Sequence, residues 1–422
     1  MYMNTIFRII NDHDLRKKIG FVLGLLVFFR IAAAIPIPSI DTARLRSFLG
    51  GNQFFGLLNI FSGGGLDNLS IVMLGVGPYI TASIIMQLLT MVFPAFKALY
   101  HEEGEAGRQR FNQYARLLTV PLALIQGYGL LTLLQRQNVI DALPLPLLMS
   151  SLLVATAGSL LLMWLGEIIS EYGIGNGVSL LIFAGIVAGI PQAVRQALFT
   201  FDISQIPLYL GFFVVSLIIV AGVVIINEGE RPIPVTYAKR VRGMRMYGGV
   251  STYLPLRVNQ AGVIPIIFAL SLLLFPQMIV NFLAGSGNVI IQSISSFLLT
   301  LLSNLWLYGF FYFVLVFAFT YFYTAVTFDP KQIAENLQKA GGFIPGIRPG
   351  RPTADYLLYV INRTTLIGAF FLGFIAVLPL IMQGFTGTAT LAIGGTALLI
   401  VVSVVLETVK QIQAHLATRE YE

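Results

Sequence analysis

Ten apolar runs, each close to the length of a membrane-crossing helix, limit what this chain can fold into. A crossing takes about 20 consecutive apolar residues, and an α-helix satisfies its backbone hydrogen bonds within the segment. The fifth run is short, because its apolar part Val178–Ile190 ends before Pro191 and the continuation to Phe199 is partly amphipathic. We therefore predict an all-α polytopic membrane protein with ten transmembrane helices. The runs begin near Ile19, Ile71, Leu117, Leu147, Val178, Leu208, Ala261, Leu301, Thr364 and Ala389.

The composition agrees with a membrane protein and excludes several kinds of site. Of the 422 residues, 56% are hydrophobic and 11% are charged, and the mean hydropathy is +0.83. A soluble domain of this length could not bury the apolar surface that such a composition provides. The absence of cysteine excludes disulfides and thiolate chemistry. Because His13, His101 and His415 lie outside the apolar runs, no buried metal cluster or cofactor is expected.

The first apolar run is predicted to be a membrane span and not a cleavable leader. A leader would need a short apolar stretch and a small-residue cleavage site, whereas here three basic residues, 16–18, precede an apolar segment that continues to Pro36. Arg30 lies about two thirds of the way along this span, at a rise of about 1.5 Å per residue. It is expected to have a topological or structural role.

Basic residues indicate the direction of the spans. Most of the 26 Lys and Arg residues fall in segments on one side, and the exceptions are Arg30, Arg44, Arg46, Arg136 and Arg195. The positive-inside rule therefore places both termini in the cytoplasm.

The ten spans divide into two sets of five near Phe201–Pro207, giving an N-terminal half 1–200 and a C-terminal half 201–422. Because each half has an odd number of spans, the second half enters the membrane in the opposite direction to the first, as in an inverted repeat. The repeat is a topological inference, because the halves show no convincing residue-level similarity.

Two features indicate where function lies. Span two carries Pro78, Thr81, Ser83 and Gln87 within its apolar run, so it should face protein or a water-filled cavity. The loops 227–259 and 328–363 are long and basic and are expected in the cytoplasm. They either bind an acidic or anionic partner, or only enforce topology and contact lipid headgroups.

Several long stretches resemble the SecY/Sec61-alpha family of protein-export channels. They are RPIPVTYAKRVRGMRMYGG with STYLPLRVNQAGVIP, LGVGPYITASIIMQLLT with EGEAGRQRFNQYAR, WLGEIISEYGIGNGVSLLIFAGIVAGIP, and DPKQIAENLQKAGGFIPGIRPGRPT with GGTALLIVVSVVLE. The resemblance covers nearly the whole chain and includes loops of unusual composition. It implies two inverted five-helix halves around a central pore that a mid-membrane ring and a plug close.

The resemblance assigns the pore ring to six aliphatic residues on four spans. Aliphatic groups repel ions by dewetting a constriction and offer no hydrogen bonds to a passing polypeptide. Without the resemblance, each would be assigned to ordinary helix packing. The ring residues are Val76, Ile80, Val178, Ile182, Ile267 and Ile400.

The plug and the lateral gate are assigned in the same way. The segment 54–65 matches the plug, although composition alone would suggest a flexible external loop. The gate lies between spans two and three and spans seven and eight, where small polar residues also commonly just pack helices together. The plug residues are Phe61, Ser62, Gly63, Gly64 and Gly65, and the gate residues are Thr81, Gln87, Ser271 and Phe275.

The basic loops are implied to bind partners, through Lys239, Arg240, Arg242 and Arg245 in the first loop and Arg348 in the second. Proline and glycine on both sides of Arg348 should shape a turn that projects its guanidinium. The implied partners are SecE, SecG, the SecA ATPase, the ribosome, signal sequences, preproteins and the lipid bilayer of a bacterial plasma membrane, with no direct DNA binding.

Two other functions are alternatives to a protein-export channel. A secondary transporter would also suit ten spans in two halves, but it usually carries intramembrane ionisable residues, and the candidates here are few: Arg30, Glu167, Glu171 and Glu407. An intramembrane enzyme would need catalytic groups that the sequence lacks, since it has no HExxH pair, no intramembrane histidine and no paired aspartates within the apolar segments. The sequence also has no P-loop, so this chain cannot supply ATP energy itself. Liposome flux of a solute without preprotein would favour the transporter.

Overall fold

Each of the ten predicted runs lies largely on a separate helix in the computed structural model, but the second helix begins at Gly77 and not near Ile71, because residues 71–76 form turns and Val76 only precedes the helix. The structure describes residues 12–37, 59, 62–66, 68–136, 139–141, 143–199, 206–237, 240–242, 245–247, 251–262, 264–283, 293–295, 297–298, 300, 304–386 and 389–419. The helices are α1 His13–Ala34, α2 Gly77–Val92, α3 Pro94–His101, α4 Gly104–Arg136, α5 Leu145–Tyr172, α6 Gly177–Phe199, α7 Ile206–Glu228, α8 Ile264–Leu283, α9 Leu305–Thr327, α10 Pro330–Lys339, α11 Arg351–Thr386 and α12 Ala389–Arg419.

Length and apolar composition make six of the described helices suitable for crossing a membrane. A seventh candidate is the pair α2 and α3, which bends by 113° at Phe93. Shorter apolar segments lie on α6, at Gly177–Pro191, and on α8, at Ile264–Leu273. The short apolar part predicted for the fifth span is therefore confirmed, and its helix continues through Pro191 to Phe199.

The chain divides into two units, the first of which holds Met1–Ser216, Leu270–Gly309 and Pro379–Glu422. The first helix of this unit starts where a side chain supplies the terminal hydrogen bonds. The Asp12 carboxylate accepts from the backbone N–H groups of Asp14 and Leu15 at the start of α1. Within this unit α2 packs on α4 and α5, α5 packs on α6, and α6 packs on both α1 and α12.

The second unit, Leu217–Ala269 and Phe310–Leu378, contains a three-stranded sheet that the sequence reading did not anticipate. Strand β1, Glu230–Tyr237, pairs antiparallel with β4, Ser251–Arg257, and with β5, Gly342–Phe343. The short hairpin of β2, Arg240–Arg242, and β3, Arg245–Tyr247, lies between β1 and β4 in the chain. Because β5 belongs to the loop 328–363, the two basic loops form one folded module.

The module has its own apolar core beneath the sheet. Alternate residues of β1, Ile233 and Val235, point into it, as expected for a strand with one buried face. Helix α11 covers them with Leu357, which is fully buried. At the base of the hairpin, the Asn259 amide donates to Asn227 Oδ1 at 2.8 Å and to the Gly262 carbonyl at 2.9 Å.

Shortening Leu357 to alanine should loosen this module. A buried leucine truncated to alanine costs about 2–5 kcal/mol, so trypsin should cut the basic loops of Leu357→Ala faster than those of the unchanged protein. Leu358→Ala is the matched control, because the neighbouring leucine is 46% exposed. Equal cleavage rates for the two variants would contradict the packing described.

Candidate functional site

The first two ring candidates lie at the start of α2, where α5 packs against the chain. Val76 precedes the first turn and Ile80 lies within it, and both are buried. The Ser159 hydroxyl of α5 donates to the Gly75 carbonyl at 3.0 Å. At Gly158 the helix α5 approaches the backbone of Ile71 so closely that any Cβ there would overlap the Ile71 carbonyl. The start of α2 is therefore placed by backbone contacts.

The next two candidates lie on α6, which begins at the GIGNG turn. Asn176 caps this helix, since its side-chain oxygen accepts from Ser179 N at 3.1 Å. Ile182 is fully buried. Val178 is half-buried, and a Cβ built on Gly166 of α5 would lie 3.2 Å from its Cγ2. Val178 thus packs at least partly against α5, whereas Ile182 is enclosed by protein on all sides.

The last two ring candidates belong to different units. Ile400 is fully buried on α12, the helix that packs along α6 in the first unit. Ile267 is buried in the second unit, where its neighbour Phe268 contacts Phe319 edge to face at a centroid distance of 5.9 Å. Five of the six ring candidates are therefore buried and Val178 is partly exposed.

The glycine-rich end of the predicted plug forms a tight, hydrogen-bonded turn. The Gly64 N–H donates to the Asn59 carbonyl at 2.9 Å, and the Ser62 hydroxyl accepts from Leu66 N at 3.1 Å. The Ser70 hydroxyl donates to the Gly65 carbonyl at 2.9 Å. Phe61 and residues 54–58 and 60 lie outside the described residues.

The plug segment belongs to a longer excursion whose two ends are paired. Pro36, just after α1, forms an antiparallel bridge with Ser70. The Ile37 N–H donates to the Leu69 carbonyl at 2.9 Å, and the Ile71 N–H donates to the Ile35 carbonyl at 3.0 Å. The excursion is thus a closed loop with a fixed base.

Among the gate candidates, the structure shows contacts on the α2 side. The Gln126 amide of α4 lies 3.4 Å from Thr81 Oγ1, to which it donates, and Thr81 Oγ1 donates to the Gly77 carbonyl at 3.0 Å. The Gln87 side-chain oxygen is buried and accepts no hydrogen bond from the described part of the chain. Ser271 is buried on α8, and the side chain of Phe275 lies outside the described residues.

The docking candidates lie in the folded module. Arg240 pairs with Tyr247 across the β2–β3 hairpin, and Arg242 pairs with Arg245. Their side chains and the whole of Lys239 lie outside the described residues. Arg348 is exposed in a turn between Gly346 and Gly350, both at positive φ, and Thr353 Oγ1 donates to its carbonyl at 2.9 Å. The predicted turn around Arg348 is therefore present, and Gly346 and Gly350 supply the backbone conformation that other residues rarely adopt.

The sequence does not predict a partner for Arg30, whereas the structure shows one. Arg30 Nη1 donates to the Gly63 carbonyl at 2.8 Å, which joins α1 to the end of the predicted plug. An arginine within an apolar run was the available signal, but the contact with Gly63 could not be read from it. Glu167, weighed as a transporter residue, accepts from Arg116 Nε at 2.8 Å.

Comparison with known proteins gives long, high-coverage matches. The family model described as SecY matches residues 70–409. The protein translocase subunit SecY of Mycobacterium bovis is 46% identical over 430 residues, covering 97% of this chain and 96% of that protein. The subunit of the same name from Corynebacterium glutamicum is 46% identical over 443 residues, covering 100% of this chain and 99% of that protein.

Solved channels share the fold at low sequence identity. A protein-conducting channel superposes with a TM-score of 0.65 at 20% identity, covering 94% of this chain and 91% of that one. Sec61 in the canine ribosome–channel complex from the endoplasmic reticulum gives a TM-score of 0.57 at 20% identity, with the same coverage. These likenesses show the fold of this chain.

Proposed function

Because this chain belongs to the SecY family of protein translocase subunits, we propose that it forms the central channel of a bacterial Sec translocon. The channel carries unfolded polypeptides across the plasma membrane and releases apolar segments sideways into the lipid. The observation that carries this conclusion is the alignment with translocase subunits along essentially the whole chain. The chain acts as a channel and not as an enzyme, so a partner or the membrane potential supplies the energy.

The pore ring consists of Val76, Ile80, Val178, Ile182, Ile267 and Ile400. Burial of five of these side chains supports a role inside the protein over contact with lipid. Within the first unit, the helices α6 and α12 that carry Ile182 and Ile400 pack on each other. Such a ring repels ions by dewetting and gives way to an extended chain.

The segment 54–65 acts as the plug. One solved relative is described as having a plug domain that stabilises its closed state and maintains a membrane seal. In this chain the end of the segment contacts α6 at Gly185, three residues after Ile182, so the turn lies about 4.5 Å further along the helix axis than the ring residue. That contact supports a plug adjacent to the ring.

The lateral gate uses Thr81 and Gln87 on one side and Ser271 and Phe275 on the other. Polar side chains keep the apolar packing of such a seam weak, and a signal sequence can replace it with its own helix. The buried Gln87 oxygen, which accepts no hydrogen bond from the described residues, supports a seam whose closed state is weakened by an unsatisfied polar group.

The cytoplasmic module binds SecA or the ribosome, and SecE and SecG complete the translocon. Solved relatives are described in complexes with ribosomes. The distribution of basic residues supports both termini in the cytoplasm. Exposed Arg348 and the backbone positions of Arg240, Arg242 and Arg245 at the β2–β3 hairpin support docking there.

The function is tested by reconstitution with SecE and SecA. A preprotein should become protected from protease in vesicles that contain this chain, and protection should require ATP. Vesicles without this chain are the control, with SecA shown to be active by its ATPase activity. Protection no greater than in the control vesicles would contradict the proposal.

Reversing the charge of Arg348 should slow translocation. A charge at the rim of an interface acts mainly on the association rate, and salt screens it. We therefore expect Arg348→Glu to lower the SecA-driven rate at least about threefold at low salt and less at high salt. Arg351→Glu is the control, because Arg351 is also exposed and lies only three residues away. The same loss in both variants would contradict a specific role of Arg348.

A further inference from the structure

A charged side chain of α1, the predicted first membrane span, contacts the described part of the predicted plug. Arg30 lies near the C-terminal end of α1 and donates from Nη1 to the Gly63 carbonyl at 2.8 Å, in a partly buried setting. A hydrogen bond from a charged donor is shorter and stronger than one between neutral groups. A guanidinium is costly to hold within an apolar span, so an acceptor at this place stabilises both the arginine and the turn.

The turn that accepts this bond is confined on two sides. Gly63 and Gly64 have φ values of 64° and 80°, a backbone conformation that residues with a side chain rarely adopt. A Cβ on Gly63 would overlap the ring of Phe29, and a Cβ on Gly185 of α6 would overlap the Gly63 backbone. Only hydrogen atoms fit at these contacts, so the turn lies between α1 and α6 in backbone contact with the helix that carries Ile182.

Other hydrogen bonds of the described part of the loop lie at its base. The bridge between Pro36 and Ser70 fixes the two ends of the excursion, and Gly65 is bonded to Ser70. These bonds lie close to the point where α2 begins, and they hold the base whether or not the turn itself moves. The Arg30 bond attaches the turn itself to α1, so it opposes displacement of the turn from its place between α1 and α6.

We propose that Arg30 is a positioning residue that latches the plug in its closed position. This inference rests on the proposed plug. Opening of the channel then requires rupture of the bond between Arg30 Nη1 and the Gly63 carbonyl, together with withdrawal of the turn from Gly185. The latch makes the closed state more populated without contributing a side chain to the pore ring.

Thiol labelling tests the latch, because the chain contains no cysteine of its own. Ser62 is 1% exposed, so Ser62→Cys, reconstituted in nanodiscs with SecE and SecG, should react slowly with a polar maleimide. Adding Arg30→Gln should speed labelling at least about tenfold, which corresponds to about 1.4 kcal/mol. Arg30→Lys, which keeps the charge and one donor group, should restore slow labelling in part. Arg195→Gln, which removes a positive charge from an exposed position on α6, should leave the rate unchanged.

A second variant perturbs the same turn while Arg30 is unchanged. Gly185→Ala should also speed labelling of Ser62→Cys, because its Cβ displaces the Gly63 backbone. Gly189→Ala is its control, since a Cβ there meets nothing within 4 Å. Wild-type labelling rates in Arg30→Gln, or equal increases in Arg30→Gln and Arg195→Gln, would overturn the latch.

The failure of the latch can be told apart from failure of the plug. With Arg30 intact, a preprotein engaged by SecA should speed labelling of Ser62→Cys. If labelling stays slow when a preprotein is engaged, the plug assignment is wrong, and the latch proposal is then wrong as well. If engagement speeds labelling while Arg30→Gln does not, only the latch is wrong.

Discussion

Replacing Ile182 with asparagine should make the resting translocon leak small ions. Ile182 is fully buried on α6 and is proposed to belong to the ring that keeps the constriction dry. A polar amide would stabilise water at that point and lower the barrier to ions. Because a barrier lowered by about 1.4 kcal/mol raises a rate tenfold, we expect ion flux to rise at least about tenfold.

The measurement is ion efflux from vesicles that hold the complex with SecE and SecG, without SecA or preprotein. Ile190→Asn is the matched control, with the same substitution on the same helix at a residue that is 47% exposed. The control should not conduct, because its amide lies away from the proposed ring. Equal efflux from the two variants would remove Ile182 from the ring.

Introducing alanine at Gly158 should destabilise the first unit. A Cβ there overlaps the Ile71 carbonyl, and the backbone just before α2 can yield only by moving the start of that helix. Overpacking a well-packed site costs about 1–3 kcal/mol, and it outweighs the gain of about 1 kcal/mol that alanine brings to a helix interior. The expected result is a lower thermal midpoint and a lower yield of the complex.

Gly129→Ala serves as the comparison for this experiment. It makes the same change within α4, where a Cβ meets nothing within 4 Å. Its thermal midpoint, followed by loss of the monodisperse complex in detergent, should equal or exceed that of the unchanged protein. A Gly158→Ala variant as stable as Gly129→Ala would contradict the close approach of α5 to Ile71.

The local features of the fold were predictable from sequence, because their causes are local. The apolar runs predicted one helix each, although the second helix begins six residues after Ile71, and Pro191 marked the end of the short apolar part of α6. The glycines around Arg348 predicted a turn, and their positive φ values explain it. Each of these features depends on residues within a few positions of one another.

The features that escaped prediction depend on distant residues. Alternation of Ile233 and Val235 could have indicated a strand, but two prolines in β1 and its position between membrane spans favoured a loop. The partner of Arg30 was likewise hidden, because Gly63 lies 33 residues further along the chain. The Gly63–Gly65 segment and the arginine can each be recognised in the sequence, but the contact between them can be seen only in the folded unit.

The strand order β4-β1-β5 also has a consequence for biosynthesis. The β1–β4 hairpin is complete soon after it emerges, but β5 is made only after α8, α9 and α10. During that interval one edge of β1 is unpaired, and a strand from another segment or chain could pair with it. Pro232 and Pro234 lack the N–H group that such attachment would use, and β5 joins β1 only beyond them, at Thr236 and Tyr237. The prolines thus protect the nascent chain from mispairing until its own last strand arrives.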